Sequence, residues 1–334
     1  MRKITNPKKP LSRREASILS PLRYPGAKRR LAGYVAEVLR LNSLRPKLFV
    51  EPFAGGASVS LQLLNDDLVE AVALGEKDPL VTSFWKIVFS DPEWLIERIE
   101  SIEVTVDNWK YFRANSFRSN KDRALACIFL NRTSFSGILA SGSGPIGGYS
   151  QKSQYKIDCR FTISTIAKRI RQAARLKDRI LFIDRADWRH TLEKVEGMDY
   201  GPREVFYYLD PPFYRKARRL YRFYFEEDDH NNLYNALMSI KQPWLLSYDP
   251  AKPILELYSH NGRGPKHVDL LYSAAANGNR VKSQELIITN LPYLPKETRL
   301  WRSSEEWRQP VSKTCPNGMA KKRTKIKRNG DRHG

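Results

Sequence analysis

The sequence predicts an α/β fold: a mostly parallel sheet covered on both faces, ending in an antiparallel hairpin and interrupted by a mainly helical insertion. Three observations predict it. Short apolar runs alternate with helical patterns along most of the chain, the order that lays strands side by side under a cover of helices. Several of those runs are apolar throughout, as strands buried on both faces are. Two late runs, "HVDLLYS" and "ELIITNL", flank a Gly/Asn-containing turn at residues 277–279, which signals a hairpin.

Taken in order, residues 1–20 are basic, polar and proline-containing, and read as a loose arm. Helical patterns occupy residues 28–41, 57–64, 79–89, 163–176 and 228–240. Between them "KLFVEPF", "EAVAL", "RILFID", "EVFYYLD" and "PWLLSYD" read as strands. Residues 91–160 break the alternation, with helical patterns followed by the Gly/Ser-rich "SGSGPIGGYSQKSQ", and read as an insertion into a domain formed by 21–90 and 161–295. Residues 296–334 form a tail whose last 22 residues carry eight Lys/Arg against Asp331 alone. Such a block is solvated and can add nonspecific affinity for nucleic acid.

Composition narrows the function. With 58 Lys+Arg against 36 Asp+Glu the formal net charge is +22, which favours a polyanionic partner, nucleic acid before a membrane surface. No apolar run is long enough to span a bilayer and the N-terminus has no signal-peptide pattern, so a cytoplasmic chain is expected. The three cysteines form neither a disulfide framework nor a CxxC site, and the five histidines show no ligand spacing, so no metal is assigned.

Two stretches carry chemistry. In "YYLDPPFYRK" two prolines follow a strand and an acid; each fixes its own φ, and Pro211 pushes Asp210 toward an extended conformation. Such a turn holds the Asp210 carboxylate and the neighbouring carbonyls in one geometry, as a set of aimed acceptors. In "FVEPFAGGASVSLQLL" a strand, a turn at Gly55 and Gly56, and a helix follow one another, and Glu76 stands 21 residues after Gly55. That is where a nucleotide-binding α/β fold places the acid that binds ribose hydroxyls. The third glycine of the dinucleotide fingerprint is missing, and there is no GxxxxGK[ST] sequence.

"RYPGAK", "FVEPFAGG", "FLNRTSFSGI", "LDPPF", "YRFYFEEDDHNNL" and "ELIITN" together resemble the Dam-type, D12-class DNA adenine-N6 methyltransferases, in that family's order and over residues 21–295. The resemblance implies a Rossmann-like methyltransferase that takes S-adenosyl-L-methionine as cofactor and double-stranded DNA as partner. It implies that Asp210, Pro211, Pro212 and Phe213 are catalytic. Asp210 and the Pro211 carbonyl would accept both N6 protons of an everted adenine on which Phe213 stacks, where the family usually has tyrosine. By the same resemblance Tyr24, Gly26 and Lys28 lie near the methionine end of the cofactor. Glu51, Pro52, Phe53 and Gly55 form its floor, Glu76 holds the ribose, and Asp187 and Trp188 border its adenine, with Asp210 also at this site. Ala27, Glu76 and Trp188 stand where the family usually has Gly, Asp and Phe.

The insertion would recognise DNA, with Asn131 and Arg132 as a pair that the family places at the duplex and Phe135, Ser136 and Ile138 on a duplex-facing turn. Dam enzymes that read GATC carry an arginine where Ala140 stands, so the resemblance does not carry that site over. Arg113, Arg118, Lys121 and Lys152 are candidate phosphate contacts. Three alternatives stay open: a DNA-binding regulator of the same fold, an RNA methyltransferase, and a cytosine-N4 methyltransferase. A lone modifying enzyme and the partner of a cognate restriction endonuclease look alike at this level, and the oligomeric state is not legible.

Overall fold

The computed structural model describes residues 18–23, 28–215, 217–259, 264–272 and 281–300. The expected arm up to residue 17, the hairpin turn at 277–279, the tail from 301 and the positions Tyr24 and Gly26 lie outside the described residues. The strands are β1 (Leu48–Glu51), β2 (Ala71–Glu76), β3 (Ile180–Arg185), β4 (Val205–Leu209), β5 (Trp244–Tyr248), β6 (Lys266–Tyr272) and β7 (Val281–Thr289). The helices are α1 (Arg29–Leu41), α2 (Ser58–Asn65), α3 (Pro79–Ser90), α4 (Pro92–Ser101), α5 (Val106–Ala114) and α6 (Asn120–Thr133). They continue with α7 (Ile163–Ala174), α8 (Trp188–Glu196), α9 (Ala217–Leu220), α10 (Glu227–Ser239) and α11 (Lys252–Tyr258).

The seven strands form one sheet in the order β3-β2-β1-β4-β5-β7-β6. The first five are parallel, β7 runs antiparallel to β5, and β6 antiparallel to β7. This is the expected architecture. β1, β4 and β5 are buried at every position, which is why their sequences are apolar except for Glu51 and Ser247. On one face Phe49, Phe206, Tyr208 and Leu245 pack under α1, α2, α3, α6 and α7. On the other, Leu48, Val50, Tyr207 and Leu246 pack under α8, α10 and α11.

The helix starts follow from local chemistry. Asp78 caps α3, its carboxylate accepting from Leu80 N–H at 2.9 Å with Pro79 in the first turn. Asp187 caps α8 in the same way, and Glu226 and Asp229 form a capping box at α10. The short α8 and α11 were not among the expected helices. Within the expected insertion, α4, α5 and α6 contribute Leu95, Trp109, Phe112 and Phe129 to the same core as Phe49 and Leu74, so these helices have no core of their own. The segment between α6 and α7 is an irregular loop that still returns Leu139, Ile157 and Phe161 to that core.

Because β1 and β4 are neighbours and the chain turns to opposite sides from them, the crevice for a ligand opens beyond their C-terminal ends. Those ends carry Glu51 and Asp210. Gly75, next to the end of β2, faces α8 so closely that a Cβ there would lie 2.2 Å from Thr191 Oγ1. No helix among the described residues is long and apolar enough to cross a membrane.

Candidate active site

Asp210 follows the last residue of β4, and its carboxylate is held from two sides. Ser247 Oγ of β5 donates to Asp210 Oδ1 at 2.9 Å, and Ser247 is itself 3.1 Å from Tyr208 Oη. Lys28, at the start of α1, places Nζ 3.0 Å from the same Oδ1 and 2.5 Å from Glu285 Oε2 of β7. Both contacts fall on Oδ1, so Oδ2 carries no contact among the described residues and is the free acceptor of the group. Burial alone would favour a neutral Lys28 amine; the Asp210 and Glu285 carboxylates outweigh it and hold the amine above its ordinary range. The antiparallel course of β7 is what brings Glu285 here, since Leu286 pairs with Tyr248 at the C-terminal end of β5.

The chain after the two prolines is pinned as well. Asp249 accepts from Tyr214 N–H at 2.7 Å through Oδ1 and from Arg215 N–H at 3.1 Å through Oδ2. Phe213 lies between the Lys28 ammonium, 5.4 Å from its ring centre, and the edge of Tyr221 at 5.9 Å. Three residues outside the sequence-derived set, Ser247, Asp249 and Glu285, thus set the position of the Asp-Pro-Pro-Phe turn.

Beside the turn is a pocket of about 620 Å³ lined by Pro52, Phe53, Gly55, Glu76, Asp187, Trp188 and Asp210 and roofed by residues 221–225. Gly55 and Ala57 both adopt left-handed φ, 45° and 47°, which turns the chain sharply out of β1. For Ala57 that conformation costs on the order of 1 kcal/mol. Glu76 accepts from Gly55 N–H and Asp78 N–H, each at 2.8 Å, one through each oxygen. A carboxylate has about four acceptor sites, so capacity for ligand hydroxyls is left on both oxygens.

Burial pushes the Glu76 carboxyl up to about 7. It pushes Glu51 up to about 8, with Asp210 and Glu76 adding to the effect, and Glu51 takes the Ser60 hydroxyl proton as its hydrogen bond. Trp188 is buried, yet its indole N–H has no partner among the described residues. Asp187 caps α8 and stands 3.4 Å from both Lys77 and Arg189. The roof is tied down by Arg222, whose Nη1 is 2.8 Å from Asp78 Oδ1, and by Phe225, edge-on to Phe53 at 5.6 Å.

A larger cleft joins Asp210, Lys28, Glu51 and Phe213 to Phe135, Ser136 and Ile138. Phe135 is 58% exposed and Ser136 takes φ 56°, so the turn presents an aromatic ring to the cleft. Asn131 and Arg132 differ from expectation: the structure turns both inward. Asn131 is fully buried, donating to Arg23 O at 2.7 Å and Gly137 O at 2.9 Å and accepting from Arg23 N–H at 2.7 Å. Arg132 donates to Pro21 O, and burial, with Arg169 and Arg23 nearby, lowers its guanidinium to about 9. Asn131 is spent in holding Arg23 against the turn and Arg132 in holding Pro21, and neither lines the cleft.

Arg113 likewise faces in, onto Leu139 O at 2.6 Å and Ala140 O at 3.1 Å, and Lys121 pairs with Asp91 at 2.7 Å. Arg118 and Lys152 are exposed but do not line the cleft. Besides Arg23, Lys28 and Arg169, the cleft is lined by Arg215, Arg218 and Arg219, which follow the Asp-Pro-Pro-Phe turn. Their signal in the sequence is the run "YRKARRLYR".

Residues 24–273 match the sequence profile described as D12 class N6 adenine-specific DNA methyltransferase, a span that begins ahead of α1 and ends after β6. The chain is 24% identical over 213 residues to the Type II methyltransferase M.MjaIII of Methanocaldococcus jannaschii, covering 58% of this chain and 68% of that protein. With most of its length inside that match, the chain belongs to the D12 class N6 adenine-specific DNA methyltransferases, enzymes that move a methyl group from a donor to the N6 amine of adenine in DNA.

Proposed function

We propose that this chain methylates an adenine everted from double-stranded DNA, with S-adenosyl-L-methionine as the donor. The observation that carries the reading is the placement of Asp210, whose side chain borders both the 620 Å³ pocket and the larger cleft. One acceptor therefore borders both the pocket read as the donor's and the cleft read as the base's.

The residues present fit the donor. Glu76 has acceptor sites left for the ribose hydroxyls, Trp188 offers a buried ring with an unused N–H beside Asp187, and Pro52, Phe53 and Gly55 supply the floor. Bound there, S-adenosylmethionine supplies an electrophilic methyl group on a positively charged sulfonium. The acids Glu76 and Asp210, which line the pocket, make the surroundings suited to a cation. Lys28 adjusts Asp210 rather than contacting the donor pocket, since it lines the larger cleft alone.

Adenine N6 is a weak nucleophile because its lone pair is drawn into the ring. Asp210 and the Pro211 carbonyl accept its two protons and draw the nitrogen toward a pyramidal form. Both acceptors are fixed in advance by Ser247, Lys28 and the prolines, so little reorganisation is needed as charge develops. Pro212 keeps the turn rigid. Phe213 stacks on the base, a contact worth about 1–3 kcal/mol. A paired adenine cannot reach Asp210 at the bottom of the cleft, which is why eversion belongs to the reading.

Residues 21–90 and 161–295 would hold donor and chemistry. The loop from Ser134 to about residue 160, with Phe135, Ser136 and Ile138, would meet the duplex. The Type II designation of the relative supports a place for this chain beside a restriction endonuclease of the same recognition sequence.

The test is transfer of tritiated methyl from S-adenosylmethionine to duplex DNA, followed by base-resolution sequencing of the product. The wild type labels adenine N6, and Asp210→Ala lowers the rate by at least about 10²–10³. No incorporation into any duplex, label on cytosine, or a full rate from Asp210→Ala would each overturn the proposal.

A further inference from the structure

We propose that Arg215 and Arg219, with Arg218 between them, form a phosphate-binding jaw that grips the DNA strand on either side of the everted nucleotide. The proposal rests on the reading of duplex DNA as substrate and adds the surface that holds it. All three arginines line the cleft that is also lined by Asp210, Phe213 and the Phe135–Ile138 turn.

Geometry limits what such residues can meet. When the amine of an adenine reaches Asp210, the phosphates of that same nucleotide lie at the mouth of the cleft, because base and backbone are joined through one sugar. Cations at that mouth therefore face the target strand itself. Arg215 is five residues from Asp210, and α9 carries the other two at its surface.

The jaw is built rather than merely charged. Both oxygens of Asp249 take backbone N–H groups of Tyr214 and Arg215, at 2.7 and 3.1 Å, which fixes the base of the arginine segment to the end of β5. Arg218 is 72% exposed and shares its charge with Glu226 at 3.1 Å while lying over Tyr224. Arg215 and Arg219 are exposed, and their side chains have no partner among the described residues. Exposed guanidinium forks without a carboxylate are the groups that phosphate oxygens engage two at a time. Arg169 also lines the cleft but donates to Ser20 O at 3.4 Å and belongs with the inner support. The basic residues of the insertion face inward or stand outside the cleft, so they cannot replace these two.

Phosphate contacts are counted by salt. Each one contributes roughly 0.9 to the slope of log affinity against log salt concentration, so removing two flattens the slope by about 1.8. The experiment measures binding of a fluorescein-labelled duplex by anisotropy across a potassium chloride series. It compares the wild type with Arg215→Ala/Arg219→Ala, and with Arg45→Ala/Lys241→Ala as a control. Arg45 and Lys241 are exposed and precede β1 and β5, on the opposite rim of the sheet. The jaw variant is expected to show the flattened slope and the control the wild-type slope, with melting temperatures of all three alike. An unchanged slope in the jaw variant, or an equal flattening in the control, overturns the jaw. A wild type that binds duplex with a slope reduced by the jaw variant but transfers no methyl overturns the proposed function instead and leaves the jaw standing.

Discussion

The sharpest test of the site is Glu285→Gln. Glu285 is 1% exposed and holds the Lys28 ammonium at 2.5 Å while Lys28 also reaches Asp210 at 3.0 Å, so one cation serves two carboxylates. Glutamine keeps the shape and an acceptor oxygen and removes only the charge. Unit charges 2.5 Å apart at an effective dielectric near 20 attract by about 7 kcal/mol, most of it offset by the cost of burying Glu285 as an anion. Breaking a buried pair outright costs about 3–5 kcal/mol. Here Lys28 keeps Asp210, so the expected loss of stability is smaller, about 1–3 kcal/mol. The larger effect falls on chemistry. With Glu285 neutral, Lys28 turns wholly to Asp210 and draws charge from the carboxylate that should accept the amine protons, a defect of the kind that costs about 10²–10³ in kcat. Glu285 does not line the 620 Å³ pocket, so the KM for the methyl donor should hold. Steady-state methyl transfer and thermal melting decide it. A lower melting temperature with kcat unchanged would make Glu285 a structural residue only, and a raised donor KM at constant kcat would place its influence in the wrong pocket.

Two further outcomes follow from the burial of polar groups. Glu51 holds its proton up to about 8 in the folded chain against 4.5 ordinarily, so its contribution to stability is fully present below 4.5 and is lost as pH rises through about 8. Melting followed across that window should therefore show Glu51→Gln gaining on the wild type as pH rises, by at most about 5 kcal/mol, and parallel curves would refute the reading. Asn131→Ala removes three hydrogen bonds to Arg23 and Gly137 and leaves their backbone groups unpaired, so it should cost about 2–4 kcal/mol in thermal or urea unfolding without changing the salt slope of DNA binding. Unaltered stability with weakened DNA binding would restore a direct DNA contact for this residue.

Much of the fold is written locally. β1, β4 and β5 are apolar apart from Glu51 and Ser247 because both faces of each are covered, and the caps of α3 and α10 stand as acids just ahead of their helices. The signal for α8 was present but short: an Asp cap followed by Trp188, Leu192 and Val195 at helical spacing among charged residues. The acceptor turn was legible because proline chemistry is local. Its supports were not. Lys28 and Glu285 are 257 residues apart, and an acid at the head of an apolar strand reads as solvated until a reversed strand is seen to carry it inward. Asn131 and Arg132 follow "ACIFL" on a helix, and that apolar setting already pointed to burial, against the resemblance that placed them at the duplex. The run that carries the arginines after the turn does not single them out in the sequence, because basic runs are common on surfaces; their place in the lining of the cleft separates them from Arg118 and Lys152.

Gly75 touches no ligand, yet it governs a dimension. It neighbours Glu76, and the residue it faces, Thr191, lies one helical turn beyond Trp188. A methyl group in that gap would wedge α8 outward and carry Asp187 and Trp188 away from the acid. The span between Glu76 on one side of the pocket and Asp187 and Trp188 on the other is thus gauged by a single hydrogen atom, at a position that no chemical role would ever single out.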